Sequence, residues 1–328
     1  MIFGGMLMKA IVYTKYGSPD VLQLKEVEKP TAKENEVLIK VHAASINAYD
    51  WHLLRGKPFL VRLMGFGLLK PKNKIPGADI AGRIEAVGRS VTQFQPGDEV
   101  FGCGRGAFTE YVCVREDRLA LKPANISFEE AAAVPVAALT ALQALRDKGQ
   151  IQTGQKVLIN GASGGVGTFA VQIAKSFGAE VTAVCSTRNL DIARSIGSDH
   201  VIDYTQENFT KNVERYDLIL VANGNHSVFE YKRALSPNGI CVMAGGGGST
   251  VQIFQDMLLG LWISKTGSKK MDSFMANINQ RDLAFIKELL EAGKVSPVID
   301  RRYPLSEVAE AIRYLEEGHA RGKVVITM

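Results

Sequence analysis

The residues with the most definite chemistry are small ones. Ala162-Ser163-Gly164-Gly165-Val166-Gly167 has the spacing A-x-G-x-x-G, a variant of the glycine pattern that holds dinucleotides. Ala162 allows a tight turn, Gly164 lets backbone amides reach a pyrophosphate, and Gly167 lets a helix close on the strand before it. The unpaired amides at the start of that helix, and its positive end, then hold the phosphates. A glycine-rich turn is a weak signal alone, but the flanks sharpen it. Val157-Leu158-Ile159 reads as a buried strand, and apolar residues recur at 166, 169, 170, 173, 174 and 177, the stripe of a helix packed on a sheet.

The end of the second strand of such a domain selects the nucleotide. NAD sites place an acid there for the ribose hydroxyls; NADP sites remove it and supply a cation. The second strand is Glu180 to Cys185, followed by Ser186-Thr187-Arg188-Asn189. No acid closes it. Ser186 can donate a hydrogen bond and Arg188 can pair with a 2′-phosphate. The competing account of Arg188 is a solvated surface residue. NADP(H) is the expected cofactor.

These residues need elements to position them. Strand and helix signals alternate from about residue 156. Strands are expected near 156–160, 180–185, 199–203, 217–221 and 239–243, and helices near 165–177, 189–196 and 228–235. Such alternation implies a parallel sheet covered on both faces. Upstream the grammar differs. Short strands at 8–14, 21–27, 36–42, 80–88, 98–103 and 108–114, separated by Pro, Gly and Asp, suggest a compact, partly closed β-domain. The change falls at Ser127-Phe128-Glu129-Glu130, a capping-box spacing before an apolar run that Pro135 should split into two helical pieces. After about residue 270 the rhythm fades into helices at 282–292 and 306–317, with Ser306 as N-cap, and a closing strand GKVVITM. The expected organisation is residues 1–125 with 271–328 as one domain and 126–270 as a nucleotide domain inserted into it.

Phe59 to Leu69 interrupts the β-rich region with a mostly apolar stretch, flanked by Arg55, Lys57, Lys70, Lys72 and Lys74. Three readings stand: a helix or loop buried on its own domain, a lid over an apolar substrate pocket, or contact with a membrane surface.

Composition excludes several classes. The 328 residues are 46% hydrophobic and 22% charged, ordinary globular material. The net charge of +5 comes from scattered Lys and Arg, which argues against nucleic-acid binding. No apolar run has the length of a transmembrane segment. The start MIFGGMLMKA does not read as a signal peptide, and Met6 and Met8 read as candidate alternative starts. Cys103, Cys113, Cys185 and Cys241 show no C-x-x-C spacing, and nothing suggests an oxidising compartment. A cytoplasmic location is expected.

The stretches GASGGVGTFAVQIAKSFGAEVTAVCSTRN, GSDHVIDY and AGKVSPVIDRRYPLSEVAEAI, with PGADIAGRIEAVG, PGDEVFG and GHARGKVVI, resemble the zinc-free, zeta-crystallin-like quinone oxidoreductase branch of the medium-chain dehydrogenase/reductases. The resemblance covers nearly the whole chain from Met8. It implies a Rossmann-type doubly wound sheet inserted into a GroES-like β-domain, a cleft between them, NADPH as hydride donor and a homodimer. By position it places Ser163, Gly164, Gly165 and Val166 on the phosphates and Ser186, Arg188 and Tyr204 around the 2′-phosphate and ribose. Arg321 would approach the cofactor from the C-terminal tail. Tyr204 has a plainer reading as a strand-end aromatic packed on the sheet.

Departures from the zinc alcohol dehydrogenases carry equal meaning. Their catalytic ligands, a Cys, a Gly-His-Glu and a second Cys, correspond here to Asn47, Gly77-Ala78-Asp79 and Val136. Asn and Ala cannot replace thiolate and imidazole. The four-cysteine structural zinc lobe is missing too. Without a metal, alcohol oxidation loses its Lewis acid, whereas hydride addition to a small apolar quinone, enone or enal needs mainly hydrogen-bond donors at the oxygen. Asn47 is the first candidate donor, with Tyr49 beside it and Asp50 as an orienting group; each is equally readable as a structural polar residue. The expected activity is NADPH-dependent, metal-free reduction of such acceptors. The rival is a nucleotide-binding protein of the same fold with a scaffold or sensing role and little turnover.

Overall fold

The computed structural model describes residues 6–59, 61–224, 226–245 and 250–328. The chain forms two compact units, Met1–Val136 with Ile278–Ala292 and Pro297–Met328, and Ala137–Asn277 with Gly293–Ser296.

The first unit begins with β1 (Leu7–Val12), β2 (Gln23–Glu28), β3 (Glu36–Ile46), β4 (Asp79–Val87), β5 (Glu99–Cys103), β6 (Tyr111–Arg115) and β7 (Leu119–Leu121). Helix α1 (Ala48–Arg55) follows β3 directly, and α2 (Phe128–Ala132) precedes α3 (Pro135–Gln143), within which the division of the chain falls. The second unit holds β8 (Lys156–Asn160), α4 (Gly165–Ser176), β9 (Glu180–Cys185), α5 (Leu190–Ser195) and β10 (His200–Asp203). It continues with β11 (Tyr216–Val221), α6 (Val228–Ala234), β12 (Leu235–Met243), α7 (Thr250–Thr266) and β13 (Lys270–Ser273). The chain ends with α8 (Gln280–Glu291), β14 (Ile299–Pro304), α9 (Val308–Glu316) and β15 (Lys323–Thr327).

The second unit's sheet has the order β10-β9-β8-β11-β12-β13, every pair parallel. That is the doubly wound dinucleotide order, and its reversal point lies between β8 and β11. Strands buried on both faces need continuous apolar runs. Val157, Leu158, Ile159, Leu218, Ile219 and Leu220 supply them, each at most 1% exposed. Phe169, Ala170, Ile173 and Ala174 bury the α4 stripe completely.

The first unit's larger sheet runs β14-β15-β3-β4-β5-β7, with β6 also on β3, while β1 and β2 pair separately. All its pairings are antiparallel except β14 with β15. Because β15 pairs with β3, the chain end belongs to this sheet. Phe108, Val100, Ile39, Ile80 and Ile84 fill its core; fully burying one such side chain contributes about 1.5–3 kcal/mol.

Local chemistry accounts for several ends. Ser127 Oγ accepts from Glu130 N at 3.1 Å and Glu130 Oε2 accepts from Ser127 N at 2.8 Å, the expected capping box. Pro135 opens α3, as a proline at a first helical position should. One expectation is corrected. Ser306 does not cap a helix; Leu305–Glu307 is a 3₁₀ turn and Glu307 precedes α9. Helix α7, which precedes residue 270, was not expected; its Leu258, Leu261 and Trp262 are exposed while Ile263 is buried.

Candidate active site

Strand register assembles a polar cluster inside the first unit. Pairing of β3 with β4 sets Ser45 opposite Asp79, and pairing of β15 with β3 sets Val324 opposite Ile46, which brings Lys323 beside Asn47. Ser45 Oγ donates to Asp79 Oδ2 at 3.0 Å and Asn47 Nδ2 donates to the same oxygen at 2.8 Å. Val136 N donates to Asp79 Oδ1 at 3.0 Å. Lys323 Nζ donates to Asn47 Oδ1 at 2.5 Å, to Ile46 O at 3.2 Å and to Asp79 Oδ2 at 3.4 Å. Asp79 is 0% and Lys323 3% exposed, so this ion pair is out of water. Buried charges persist only when paired and hydrogen-bonded, and here the three ammonium donors have three acceptors.

Asn47, Asp79 and Val136, aligned above with the zinc-ligand positions, therefore do converge. Their donor set is an amide, a carboxylate and a backbone N–H, with an ammonium among them. Cys103 lies opposite Asp79 on β5, and burial pushes its thiol far above the usual range. Among the described residues no three His, Cys, Asp or Glu side chains are grouped to hold a metal.

Asp50 and Tyr49 sit on α1, which starts immediately after Asn47. Asp50 Oδ2 accepts from Asn47 N at 2.8 Å, fixing the turn from β3 into the helix. Burial raises the Asp50 carboxyl from its ordinary 3.8 to about 7; the Asn47 N–H and Lys323 oppose that rise and the Asp79 carboxylate adds to it. Tyr49 is half-exposed at 36%, and its phenol is pushed up to about 12, first by burial and then by Asp50. It is a proton-bearing donor at neutral pH. Its ring meets Phe66 edge-on at 5.8 Å. A cavity of about 110 Å³ beside Phe66 is lined by Tyr13, Tyr16, Leu53, Lys72 and Arg105.

Phe66 belongs to a short π-helical turn, Arg62–Phe66, inside the apolar stretch. Tyr16 OH ties it down by donating to Gly67 O at 2.6 Å, and the Arg62 guanidinium lies 4.4 Å from the Tyr16 ring centre. Phe59, Leu63, Leu68 and Leu69 are 52–87% exposed. The stretch is thus not the buried packing helix that one reading expected. Leu60 and the side chains of Met64 and Gly65 lie outside the described residues.

In the second unit the glycine turn joins β8 to α4 as its spacing requires. A Cβ on Gly167 would stand 2.1 Å from Gly161 O and 2.7 Å from Ala162 Cα, so only glycine allows this helix–strand approach. A Cβ on Gly164 would meet only Gly161 O, at 3.6 Å. The turn is therefore open on that side, as a pyrophosphate cradle must be, and Gly165, Val166 and Gly167 begin α4 with first-turn amides that have no intrahelical acceptor. The residues present fit a dinucleotide.

Ser186 and Arg188 follow the end of β9, and Tyr204 follows β10, its N–H donating to Cys185 O at 3.0 Å. All three gather at one edge of the sheet. Tyr204 is 59% exposed, so it is not the packed strand-end aromatic of the plainer reading. Asn189 joins the two halves of the site, donating from Nδ2 to Ser163 Oγ at 2.9 Å and to Ser186 Oγ at 3.2 Å. Sequence reasoning passed over Asn189, although it stands in the STRN segment. Asp203, at the end of β10, accepts from Thr187 Oγ1 at 2.5 Å and from Thr205 Oγ1 at 2.7 Å. These hydroxyls, Thr187 first, lower its pKa. Arg321 lies on the first unit, where its N–H donates to Asp300 Oδ2 at 2.9 Å.

Lys323 was missed too. A lysine heading an apolar strand reads as a solvated edge residue, and only its register against β3 shows it buried.

Known proteins agree with this architecture. The alcohol dehydrogenase GroES-like domain matches residues 33–124, and the zinc-binding dehydrogenase family model matches residues 196–326. The chain is 38% identical to the 2-methylene-furan-3-one reductase of Solanum lycopersicum across 97% of its own length and 79% of that protein. It is 36% identical to the chloroplast envelope quinone oxidoreductase homolog of Arabidopsis thaliana, across 98% of this chain and 99% of that one. The solved quinone oxidoreductase from Coxiella burnetii superposes with a TM-score of 0.86 at 30% identity, covering 98% of this chain and 100% of that chain. With this identity sustained over almost its full length, and with a GroES-like sheet and a doubly wound parallel sheet each built from its own residues, the chain belongs to the quinone oxidoreductase branch of the medium-chain dehydrogenase/reductases.

Proposed function

We propose that this chain is an NADPH-dependent, metal-independent reductase of quinones or α,β-unsaturated carbonyl compounds. The donor set around Asn47 carries the reading: a buried amide, carboxylate and ammonium already satisfy one another, with Asn47 at a position where zinc-dependent relatives place a thiolate and Ala78, next to Asp79, where they place the imidazole. Related proteins named as a quinone oxidoreductase and as an NADPH-dependent alkenal/one oxidoreductase support the acceptor class.

Bound NADPH supplies the hydride. Ser163, Gly164, Gly165 and Val166 hold its pyrophosphate, and Ser186, Arg188 and Tyr204 its 2′-phosphate end, with Arg321 as a further contact. The engaged state of Asp203 supports the phosphate-bearing cofactor, because that carboxylate is occupied by threonine hydroxyls. Asn47 Nδ2 gives one hydrogen to Asp79 and keeps a second for the acceptor's oxygen. Tyr49 offers a second donor, and Asp50 orients Asn47 through its backbone N–H. The acceptor takes up two electrons with the hydride and one proton from solvent. A quinone becomes a hydroquinone, and an enone a saturated ketone. Hydrogen bonds to the oxygen on which negative charge develops lower the barrier.

The test is NADPH absorbance with a panel of quinones, enones, enals and saturated aldehydes, together with alcohol oxidation by NADP⁺. Activated acceptors should turn over and saturated ones should not; alcohol oxidation at a comparable rate would overturn the reading. Within the panel, relative kcat/KM separates quinone from enone. A homodimer is proposed from the family resemblance, and sedimentation equilibrium checks it. Among the described residues no helix is long and apolar enough to cross a membrane. The four cysteines are unbridged, which fits a reducing compartment such as the cytoplasm; fractionation decides between that and the organelles in the names of some relatives.

A further inference from the structure

In the reading above the buried ammonium of Lys323 only completes the donor set and takes no part in the reduction. Its obvious service is to balance Asp79, but the geometry shows a second one. The shortest contact of Nζ is to Asn47 Oδ1 at 2.5 Å, whereas Asp79 Oδ2 lies at 3.4 Å. The Asn47 amide is thus gripped at both ends. An ammonium can only donate and a carboxylate only accept, so a flipped amide would set NH₂ against the ammonium and C=O against Asp79. Only one orientation survives. It commits one Nδ2 hydrogen to Asp79 and leaves the other. A cation on the amide oxygen also draws electrons from the nitrogen, making the remaining N–H a stronger donor, as in other polarised hydrogen-bond chains.

We propose that Lys323 is a positioning residue for the reduction, acting through Asn47: its ammonium locks and polarises the Asn47 amide that donates to the acceptor's oxygen. This rests on the functional reading above. It means that a fixed positive charge from the last strand supports the developing oxyanion, one amide removed.

Lys323→Met tests it, with Lys323→Met/Asp79→Asn as the variant that leaves no uncompensated buried carboxylate if the single change fails to fold. The expected result is a kcat lower by about 100-fold, the usual scale for a misplaced or lost donor. The Kd for NADPH, read by fluorescence titration, should stay within about twofold. The double variant should regain the wild-type melting temperature without regaining kcat. Asn47→Ala should lower kcat itself, and adding it to the double variant should cause no further loss, the non-additivity of residues acting as one unit. A folded double variant with wild-type kcat overturns the proposal, as does full multiplicative loss on adding Asn47→Ala. A wild-type protein inactive on every quinone, enone and enal removes the functional reading and this inference with it, an outcome distinct from the other two.

Discussion

On the proposed reading, Arg188 would carry the distinction between the two nicotinamide cofactors. A charge-assisted hydrogen bond contributes about 1.5–3 kcal/mol, which is roughly 10- to 150-fold in affinity. Arg188→Ala is expected to weaken NADPH by that factor and leave NADH nearly unchanged in a titration of both; equal loss would make Arg188 structural. Asp50 makes a different kind of prediction. Its carboxyl is raised by burial to about 7. Below pH ~4 the group is protonated in the folded and unfolded chain alike and contributes nothing. Between ~4 and ~7 the unfolded chain loses this proton and the folded chain keeps it, so stability falls as pH rises and then levels off. Asp50→Asn keeps an oxygen to accept from Asn47 N but cannot ionise. The variant's melting temperature relative to wild type should therefore climb from pH 4 to 7.5, and a constant difference would sink the assignment.

At the scale of elements, the glycine turn and the apolar stretch each separate binding from packing. Gly167→Ala forces a Cβ to within 2.1 Å of Gly161 O, and overpacking of this kind costs about 1–3 kcal/mol. Gly164 has ordinary extended torsions, φ −83° and ψ 175°, and room for a methyl in the protein itself. Gly164→Ala should keep the melting temperature and still weaken NADPH, because the methyl occupies the cradle. Loss of stability in both variants, or in neither, would contradict the cradle geometry. In the stretch Phe59–Leu69, Leu63 is 60% exposed while Phe66 packs on Tyr49. Exposed sites usually change stability by less than about 0.5 kcal/mol, so Leu63→Ser should leave melting unchanged. If the stretch selects bulky apolar acceptors beside Asn47 and Tyr49, Leu63→Ser and Phe66→Ala should lower kcat/KM for large quinones well below that for small ones. A flat profile across acceptor size would remove it from substrate selection.

For the whole molecule, the groups around Asp79 bear on metal content: among the described residues no three His, Cys, Asp or Glu side chains are grouped to hold a metal. Protein dialysed against a mild chelator is expected to show far less than one zinc per chain by elemental analysis and to keep its NADPH-dependent activity. Stoichiometric zinc would show that the Asn47–Asp79–Lys323 cluster rearranges around a cation, contrary to its closed set of hydrogen bonds.

Local signals were sufficient for the nucleotide-binding half. The strands and helices from Lys156 to Met243 lie within a few residues of their expected places, because a parallel sheet buried on both faces writes its core as continuous apolar runs and its turns as glycines. Ser163, Gly164, Ser186 and Arg188 were singled out by distance along the chain from two strand ends, and the structure sets them just beyond those ends. Helices α1 and α7 were not, since α1 is a short helix tied to the end of a strand and α7 has apolar residues on several faces. The polar cluster of the first unit was illegible in a stronger sense. Asn47 and Asp50 stood out only through the resemblance, and Lys323 did not stand out at all. Ser45, Asp79 and Lys323 come from three strands, far apart in the chain, and meet because β3 pairs with β4 on one side and with β15 on the other. A buried ammonium is tolerable only where a carboxylate and an amide oxygen wait for it, and that condition is met by pairing register, which no local run of residues encodes.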